Sequence, residues 1–420
     1  MGCKSNQFES AIIQEKIIKS GHNLVDDIKN ADFYILNSCS VTHKSDNEAM
    51  YLLRNAKNIN PEIKTIITGC IAQTEQEKLL AKDFIDYVYG NNEKFDLIEL
   101  LEKNEEFKAE NIMNLTEFNE QILIDTTKTR ASLKIQDGCD NRCAYCIIPF
   151  ARGKSRSAKI NFIIKQIKNF EKHEFKEVVF TGIHIGQWGK EWNKNILDLL
   201  KEIENQTNIR YRLGSLNPLE ITDELLEFLS KSTQFCPHFH LSLQSGCNKT
   251  LKSMNRFYCV EDYLKQIEKI DSMFNLAFIG SDIIAGFVGE TQEDFEITLN
   301  NLRKSKLTAI HTFPYSIRKN TQAENMEGHL ADEIKEYRAK LIKEVSAQKT
   351  KEFLNKNLNT IHNAIIEKKQ EKKSGLLKGM TENYITVILN SKDKSLINTI
   401  QKIKITEMKN NKIFGEIINN

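Results

Sequence analysis

Three cysteines stand in the run Cys139-Asp-Asn-Arg-Cys143-Ala-Tyr-Cys146, with the spacing CxxxCxxC. Three thiolates in one short loop can bind three irons of a cubane 4Fe-4S cluster and leave the fourth iron without a protein ligand. Such an iron is a place where a small molecule can bind. The competing occupant is a zinc ion, which wants four ligands and could recruit His173 or His184. The tight loop follows directly on the strand-like run Ala131 to Gln136 and carries an aromatic, Tyr145, before its third cysteine, and both features favour the cluster.

Three more cysteines are placed by pattern. Cys39 follows the strand-like Asp32 to Ser38, and Cys70 follows Lys64 to Gly69. Both therefore fall at C-terminal ends of neighbouring parallel strands, where open α/β sheets have their ligand crevice. Cys3 precedes the first helical pattern and would reach the same edge, so the three can hold a second cubane. Cys236, Cys247 and Cys259 have no such placement and read as buried structural residues. No signal-peptide pattern opens the sequence, so its nine cysteines are expected as metal ligands or small core residues, not disulfides.

An open cluster iron can chelate the amino and carboxylate groups of S-adenosylmethionine, and one electron then yields a 5′-deoxyadenosyl radical that attacks unactivated C–H bonds. Residues expected in the cofactor cleft are Thr181 and Gly182 at one strand end, Ser215 and Gln244 at later ones, and Asp282 and Gly286 in the glycine-bearing run Gly280 to Glu290. Just after the cluster loop, Arg152, Lys154 and Arg156 are expected to hold RNA phosphates. His184 and Trp188 are candidates to line the pocket.

The elements that must position these residues alternate. Residues 1–105 carry helix patterns near Glu9 to Lys19 and Asp46 to Asn58, and strands at Asp32 to Ser38, Lys64 to Gly69 and Ile85 to Tyr89, which is an open parallel α/β domain. Glu102 to Glu120 reads as a charged, helix-compatible linker. Residues 125–355 repeat the alternation, with strand cores at Leu133 to Gln136, Val178 to Thr181, Tyr211 to Leu213, Phe239 to Leu243, Phe278 to Ile284 and Ala309 to Phe313. Six such units predict a partial (β/α)6 barrel, closed off by a helix from Ala331 to Phe353. Residues 356–420 change to short β runs separated by Lys, Asn and Gly, which fits either a small antiparallel barrel that binds oligonucleotides or a plain stabilising β appendage.

At 420 residues and 40% hydrophobic content the chain is long enough for two or three domains with real cores. The net charge of +2 does not mark the whole chain as a polyanion binder, but from Lys351 onward 13 lysines face 7 acids. No apolar run approaches the roughly 18 residues of a membrane span. A cytoplasmic enzyme without membrane partners is the expectation.

Taken together, the motifs resemble the radical S-adenosylmethionine methylthiotransferases over nearly the whole chain. The matching residues are Gly2-Cys3-Lys4-Ser5-Asn6-Gln7, Asn37-Ser-Cys39-Ser-Val-Thr42, Thr68-Gly-Cys70, Gln136-Asp-Gly-Cys139 through Cys146-Ile-Ile-Pro149, Arg152-Gly153 and Leu243-Gln-Ser-Gly246. The resemblance implies an N-terminal methylthiotransferase domain, a radical barrel and a C-terminal TRAM domain that binds RNA. It implies that Cys139, Cys143 and Cys146 hold the radical cluster, and that Cys3, Cys39 and Cys70 hold an auxiliary one involved in sulfur donation. The Gly-Cys-Lys-x-Asn-Gln run is similar to the branch that methylthiolates C2 of N6-threonylcarbamoyladenosine at position 37 of tRNA. Branches acting on isopentenyladenosine 37 or on a ribosomal-protein aspartate are the alternatives, and a non-catalytic iron-sulfur RNA-binding module is the alternative of another class. Implied partners are a tRNA anticodon loop and an electron-donor protein.

Three departures from that family stand out. Asn217 replaces a common Glu before Pro218, Val288 replaces a frequent Pro, and Met1 stands where relatives have a strand leading into Gly-Cys-Lys. The last suggests that the natural start lies upstream; if it does not, Cys3 is expected to fray and the auxiliary cluster to be labile.

Overall fold

The computed structural model describes residues 2–125 and 127–418. The N-terminal sheet is parallel, in the order β1 (Phe33–Ser38), β2 (Lys64–Gly69), β3 (Tyr87–Tyr89), β4 (Phe107–Lys108). Helix α1 (Lys4–Lys19) precedes it, and α2 (His43–Ile59), capped by the Thr42 hydroxyl accepting from Ser45 N–H, crosses from β1 to β2. Strands covered on both faces read as continuous apolar runs, and β2 is buried from Thr65 to Gly69. Leu36, Ile67 and Val88 pack on one face, Ile66 and Tyr89 on the other.

The stretch expected as a helical linker is not helical. The helix Leu97–Glu102 ends there, β4 adds a fourth strand to the sheet, and only a 3-10 turn at Ile112–Asn114 follows. Its charges suited a helix, but pairing of β4 with β3 overrides that local preference.

The central barrel is built from β5 (Ala131–Lys134), β8 (Glu177–Thr181), β9 (Arg210–Arg212), β10 (His238–His240), β11 (Phe278–Ala285) and β12 (Ala309–Pro314). Between β5 and β8, the hairpin β6 (Gln136–Asp137) and β7 (Arg156–Ser157) frames the cysteine loop. All six barrel strands are parallel, in two sheets, β5-β8-β9 and β10-β11-β12, linked by the Leu216 to Leu241 bridge. Alternate residues such as Leu133, Phe180, Tyr211, Phe239, Ile283 and Ile310 face the surrounding helices and form the main core. Their neighbours therefore line the lumen. The helix Asp332–Lys356 packs across β11 and β12.

The C-terminal unit is a closed five-stranded barrel in the order β13 (Ile361–Ile366), β14 (Lys378–Thr381), β15 (Thr386–Leu389), β17 (Lys412–Ile417), β16 (Ile400–Lys409). Strand β14, Lys-Gly-Met-Thr, went unmarked because it has no apolar alternation. The predicted α/β class, partial radical barrel and small β-barrel all stand, but the last is not wholly antiparallel: β15 and β17 pair in parallel. Among the described residues no helix is long and apolar enough to cross a membrane.

Candidate functional site: two cysteine triads joined by a short helix

The first triad lies just past β6. Gly138 turns the chain with φ +70°, where a Cβ would sit 1.9 Å from the Lys154 carbonyl oxygen, so only glycine fits. Gln136 Nε2 donates to the Gly138 carbonyl (2.8 Å), and Cys139 N–H donates to Gly153 (3.0 Å). The far side of the loop is clamped by Ala144, which donates to Met254 and accepts from Ala323, and by Asn255, which donates to Arg142. Tyr145 packs edge-on against Phe287.

Two side chains flank these sulfurs. His184 Nδ1 lies 3.4 Å from Cys139 Sγ, while its Nε2 faces Asn217 (2.8 Å) and Glu220. Burial works to lower the His184 pKa, but the contacts with Cys139 and Glu220 raise it to about 9. Arg256 Nη1 donates to Cys143 Sγ (3.3 Å), and its other nitrogens reach Asn217, Ser242 and Tyr258. Asn217, the departure from the resembling family, thus bridges His184 to Arg256. No spacing in the sequence marks Arg256, which lies 113 residues from Cys143.

The second triad forms where β1 and β2 end in register, Ser38 beside Gly69. Cys39 follows β1, Cys70 opens the short helix Cys70–Thr74, and Cys3 caps α1. Asn6 ties the start of α1 to the sheet, donating to Ser38 O (2.7 Å) and accepting from Asn37 through its own carbonyl (3.0 Å). Burial and the neighbouring Cys70 and Cys3 push the Cys39 thiol up to about 11. Burial, with Cys143 and Cys139 beside it, pushes Cys146 to about 12.

A bound metal deprotonates a coordinating thiol and so would offset the mutual opposition of neighbouring sulfurs. A single tetrahedral zinc with Zn–S near 2.3 Å would hold sulfurs about 3.8 Å apart. Among the described residues the group whose ligand atoms all close to within 4.8 Å is His240, Asp282 and His311, not either cysteine triad. His184 has both ring nitrogens engaged, and His173 Nδ1 faces Asn169 O of its own helix (2.9 Å), so neither completes a zinc site. The donor sets fit open cubanes.

One short helix joins the two triads. Ile148–Arg152 begins two residues after Cys146, spans about 7.5 Å, and packs on the helix that Cys70 opens. Asn91 Nδ2 donates to Ala151 O (2.6 Å) and lies 3.8 Å from Cys70 Sγ. Arg152 Nη2 donates to Asn6 (2.6 Å), and Nη1 pairs with Glu9 (2.7 Å) and Asp137 (3.1 Å). Arg318, arriving from beyond β12, donates to Ser40, next to Cys39, and to Asp46.

These contacts correct part of the expected site. Arg152 is 1% exposed and Arg156 5%, both tied to Asp137; Arg152 joins the N-terminal domain through Asn6 and Glu9, Arg156 braces the cysteine-loop hairpin, and neither presents its charge to RNA. Lys154 is exposed. Thr181 and Gly182 sit at the end of β8 beside Gln136, as expected, and Ser215 is exposed after β9. Gln244 adopts φ +72° and donates its backbone N–H to Asp282 O (2.8 Å). Gly286 makes a close approach to Lys335 of the long helix, where a Cβ would meet Cγ at 2.5 Å. Asp282 lies within the lumen, bonded to His240 and His311, not at the strand end. Trp188 is core, its indole N–H donating to Ala158 O. Cys236 and Cys247 are buried away from both triads, and Cys259 Sγ donates to Asp262.

Comparison with known proteins places this architecture. Residues 1–90 match the uncharacterized protein family UPF0004, and residues 133–302 match the radical SAM superfamily. The chain is 33% identical over 416 residues to the threonylcarbamoyladenosine tRNA methylthiotransferase MtaB of Bacillus subtilis, covering 96% of this chain and 92% of that protein. It is 34% identical to the Aquifex aeolicus MtaB over 394 residues, with coverage of 92% and 94%. It is 32% identical to the tRNA-2-methylthio-N(6)-dimethylallyladenosine synthase of Carboxydothermus hydrogenoformans, with coverage of 97% and 96%. Among solved structures, the radical S-adenosylmethionine methyltransferase TsrM of Kitasatospora setae shares the fold, with a TM-score of 0.54 at 12% identity, covering 75% of this chain and 72% of that one.

Proposed function

Because the chain belongs to the radical S-adenosylmethionine tRNA methylthiotransferases, we propose that it adds a methylthio group to C2 of N6-threonylcarbamoyladenosine at position 37 of tRNA. The observation that supports the two-cluster form of this proposal is the helix Ile148–Arg152, which follows the first triad and packs on the short helix that Cys70 opens. Family membership implies one 4Fe-4S cluster and S-adenosylmethionine; the second cluster belongs to the proposal.

Cys139, Cys143 and Cys146 would hold the radical cluster, and Cys3, Cys39 and Cys70 the auxiliary one. When reduced, such a cluster supplies the electron that cleaves S-adenosylmethionine to the radical needed at an unactivated C–H bond. The chain's own residues do the positioning. His184 and Arg256 hold two of the first triad's sulfurs from the sides, and Glu220 and Asn217 fix His184. Arg152, locked by Glu9 and Asp137, sets the distance between the triads. Thr181, Gly182, Ser215 and Gln244 remain proposed contacts for S-adenosylmethionine, and Lys154 with the lysine-rich C-terminal barrel the proposed surface for the anticodon loop. The electron is expected from a separate donor protein.

Nucleoside analysis of tRNA from a host lacking its own enzyme tests this. Expression of the chain should produce methylthio-threonylcarbamoyladenosine, and Cys143→Ala should abolish it together with 5′-deoxyadenosine formation. Appearance of the methylthio form of isopentenyladenosine instead would move the chain to the other tRNA branch. Iron and sulfide near eight and eight per chain, falling to about half in Cys39→Ala, are expected for two cubanes.

A further inference from the structure

The barrel lumen below the cysteine loop is polar and charged. Ile279 and Ile283 point outward, so Asp282 points in; by the same alternation His238 and His240 on β10 and His311 on β12, the strands on either side of β11, point into the lumen beside it. His240 Nε2 lies 2.9 Å from one Asp282 oxygen and His311 Nδ1 3.4 Å from the other, and the two imidazoles are 5.2 Å apart. A cavity of about 280 Å³ opens between α1, the lumen residues Ser132 and Val179, and Tyr384 of the C-terminal barrel. Tyr384 lies 4.3 Å from His238, on the face that carries His240.

Lys4 lines this cavity from the first turn of α1, one residue after Cys3; Asp125 and Glu367 line it as well, and among the described residues neither is ion-paired with the Lys4 ammonium. Its charge is felt inside the barrel. His238 is held well below the usual histidine range, first by burial and then by Arg212 and Lys4, and Lys4 also opposes the upward pull of Asp282 on His311.

We propose that Lys4 binds the carboxylate of the threonylcarbamoyl substituent, and that His240, Asp282 and His311 meet its urea and hydroxyl, so that the lumen selects a polar anionic N6 group over an apolar one. This rests on the substrate proposed above. An isopentenyl group placed there would leave the Lys4 ammonium without a partner and would desolvate the Asp282 carboxylate with its two imidazoles, which costs more than its own burial returns. A divalent cation on His240, Asp282 and His311 is the competing occupant, since their ligand atoms close to within 4.8 Å. The two histidines are already bonded to separate oxygens of Asp282, and the Lys4 ammonium repels a cation while attracting an anion.

The test is binding of anticodon stem-loops to the full chain, with four N6 states: threonylcarbamoyl, its carboxamide, isopentenyl and unmodified. The native chain should bind the carboxylate form about tenfold tighter than the carboxamide, as one charge-assisted hydrogen bond predicts. Lys4→Gln should bring the two within about twofold, and Lys4→Arg should keep most of the difference. His311→Phe should lose about tenfold for threonylcarbamoyl relative to isopentenyl, an independent arm should Lys4→Gln not fold. If Lys4→Gln weakens all four stem-loops equally, Lys4 holds backbone phosphate and the proposal is overturned. Stoichiometric zinc or iron in cluster-free protein, lost in His311→Phe, would overturn it as well. Methylthiolation of isopentenyl but not threonylcarbamoyl stem-loops by the native chain would instead remove the substrate assignment beneath it.

Discussion

Glu9 is the residue on which the two-triad arrangement turns. It is buried, and its carboxylate receives Lys94 (2.6 Å), Lys134 (2.6 Å) and Arg152 (2.7 Å), which come from the N-terminal unit, β5 and the inter-triad helix. Burial alone would raise its pKa, but the charges of Arg152, Lys134 and Lys94 together hold it well below the ordinary carboxylate range, and Asp137 is depressed in the same way. Glu9→Gln leaves three buried cations short of a counter-charge, so it should cost about 3–5 kcal/mol, read from denaturant unfolding. A carboxylate whose folded pKa lies below its unfolded one contributes stability above the unfolded value and loses it as pH falls toward the folded value. Acid destabilisation should therefore set in below about pH 4, with a shallower slope in Glu9→Gln. None of this was legible in the sequence. Arg152 and Arg156 looked like phosphate contacts because a cation in a loop is usually solvated, and nothing local names a partner 143 residues away.

Among the elements, the cysteine loops were legible because glycine and cysteine spacing is local. Gly138 and Gly153 bracket the first loop at φ +70° and +74°, and a Cβ on Gly153 would come 2.4 Å from Ile112 O. Gly138→Ala should cost at least about 1–2 kcal/mol from the left-handed backbone alone, before the clash with Lys154 O. Its measurable result is a lower melting temperature and an iron content reduced toward that of Cys143→Ala. The barrel strands were legible for a related reason: buried on both faces or alternating cleanly, they read as short apolar runs within a few residues of their true ends. Where tertiary pairing sets the structure, the pattern failed. The segment after Glu102 carries helix-compatible charges yet supplies β4, and its turn places Ile112 against the helix Ile148–Arg152. The lumen of the barrel was half-legible; Asp282 was singled out, but its bonding to His240 and His311 emerges only when β10, β11 and β12 lie side by side.

At the scale of the whole molecule, the C-terminal barrel is held to the catalytic one through buried charge. Arg212 donates through Nη1 to Glu382 O (2.6 Å) and through Nη2 to Thr381 O (2.6 Å), while Arg210 reaches Asn363 O (2.9 Å). Both guanidiniums are anchored on Glu177 of β8, each at 2.7 Å through Nε. Carbonyl acceptors fix orientation as well as contact, because the guanidinium fork is planar and its donors have set directions. A rigidly seated C-terminal barrel keeps Tyr384 against His238 and Phe278, the residues that open β10 and β11. Arg212→Met removes two bonds to the C-terminal barrel and leaves Glu177 with less counter-charge, at a cost of about 3–5 kcal/mol concentrated on this interface. Hydrogen exchange should then quicken in residues 361–366 and 378–389 while the N-terminal sheet stays protected. Affinity for an anticodon stem-loop should fall in step, whereas iron content should not, since no ligand cysteine touches Arg212. Equal loss of protection across the whole chain would show that Arg212 supports the barrel as a whole and not the seating of its partner.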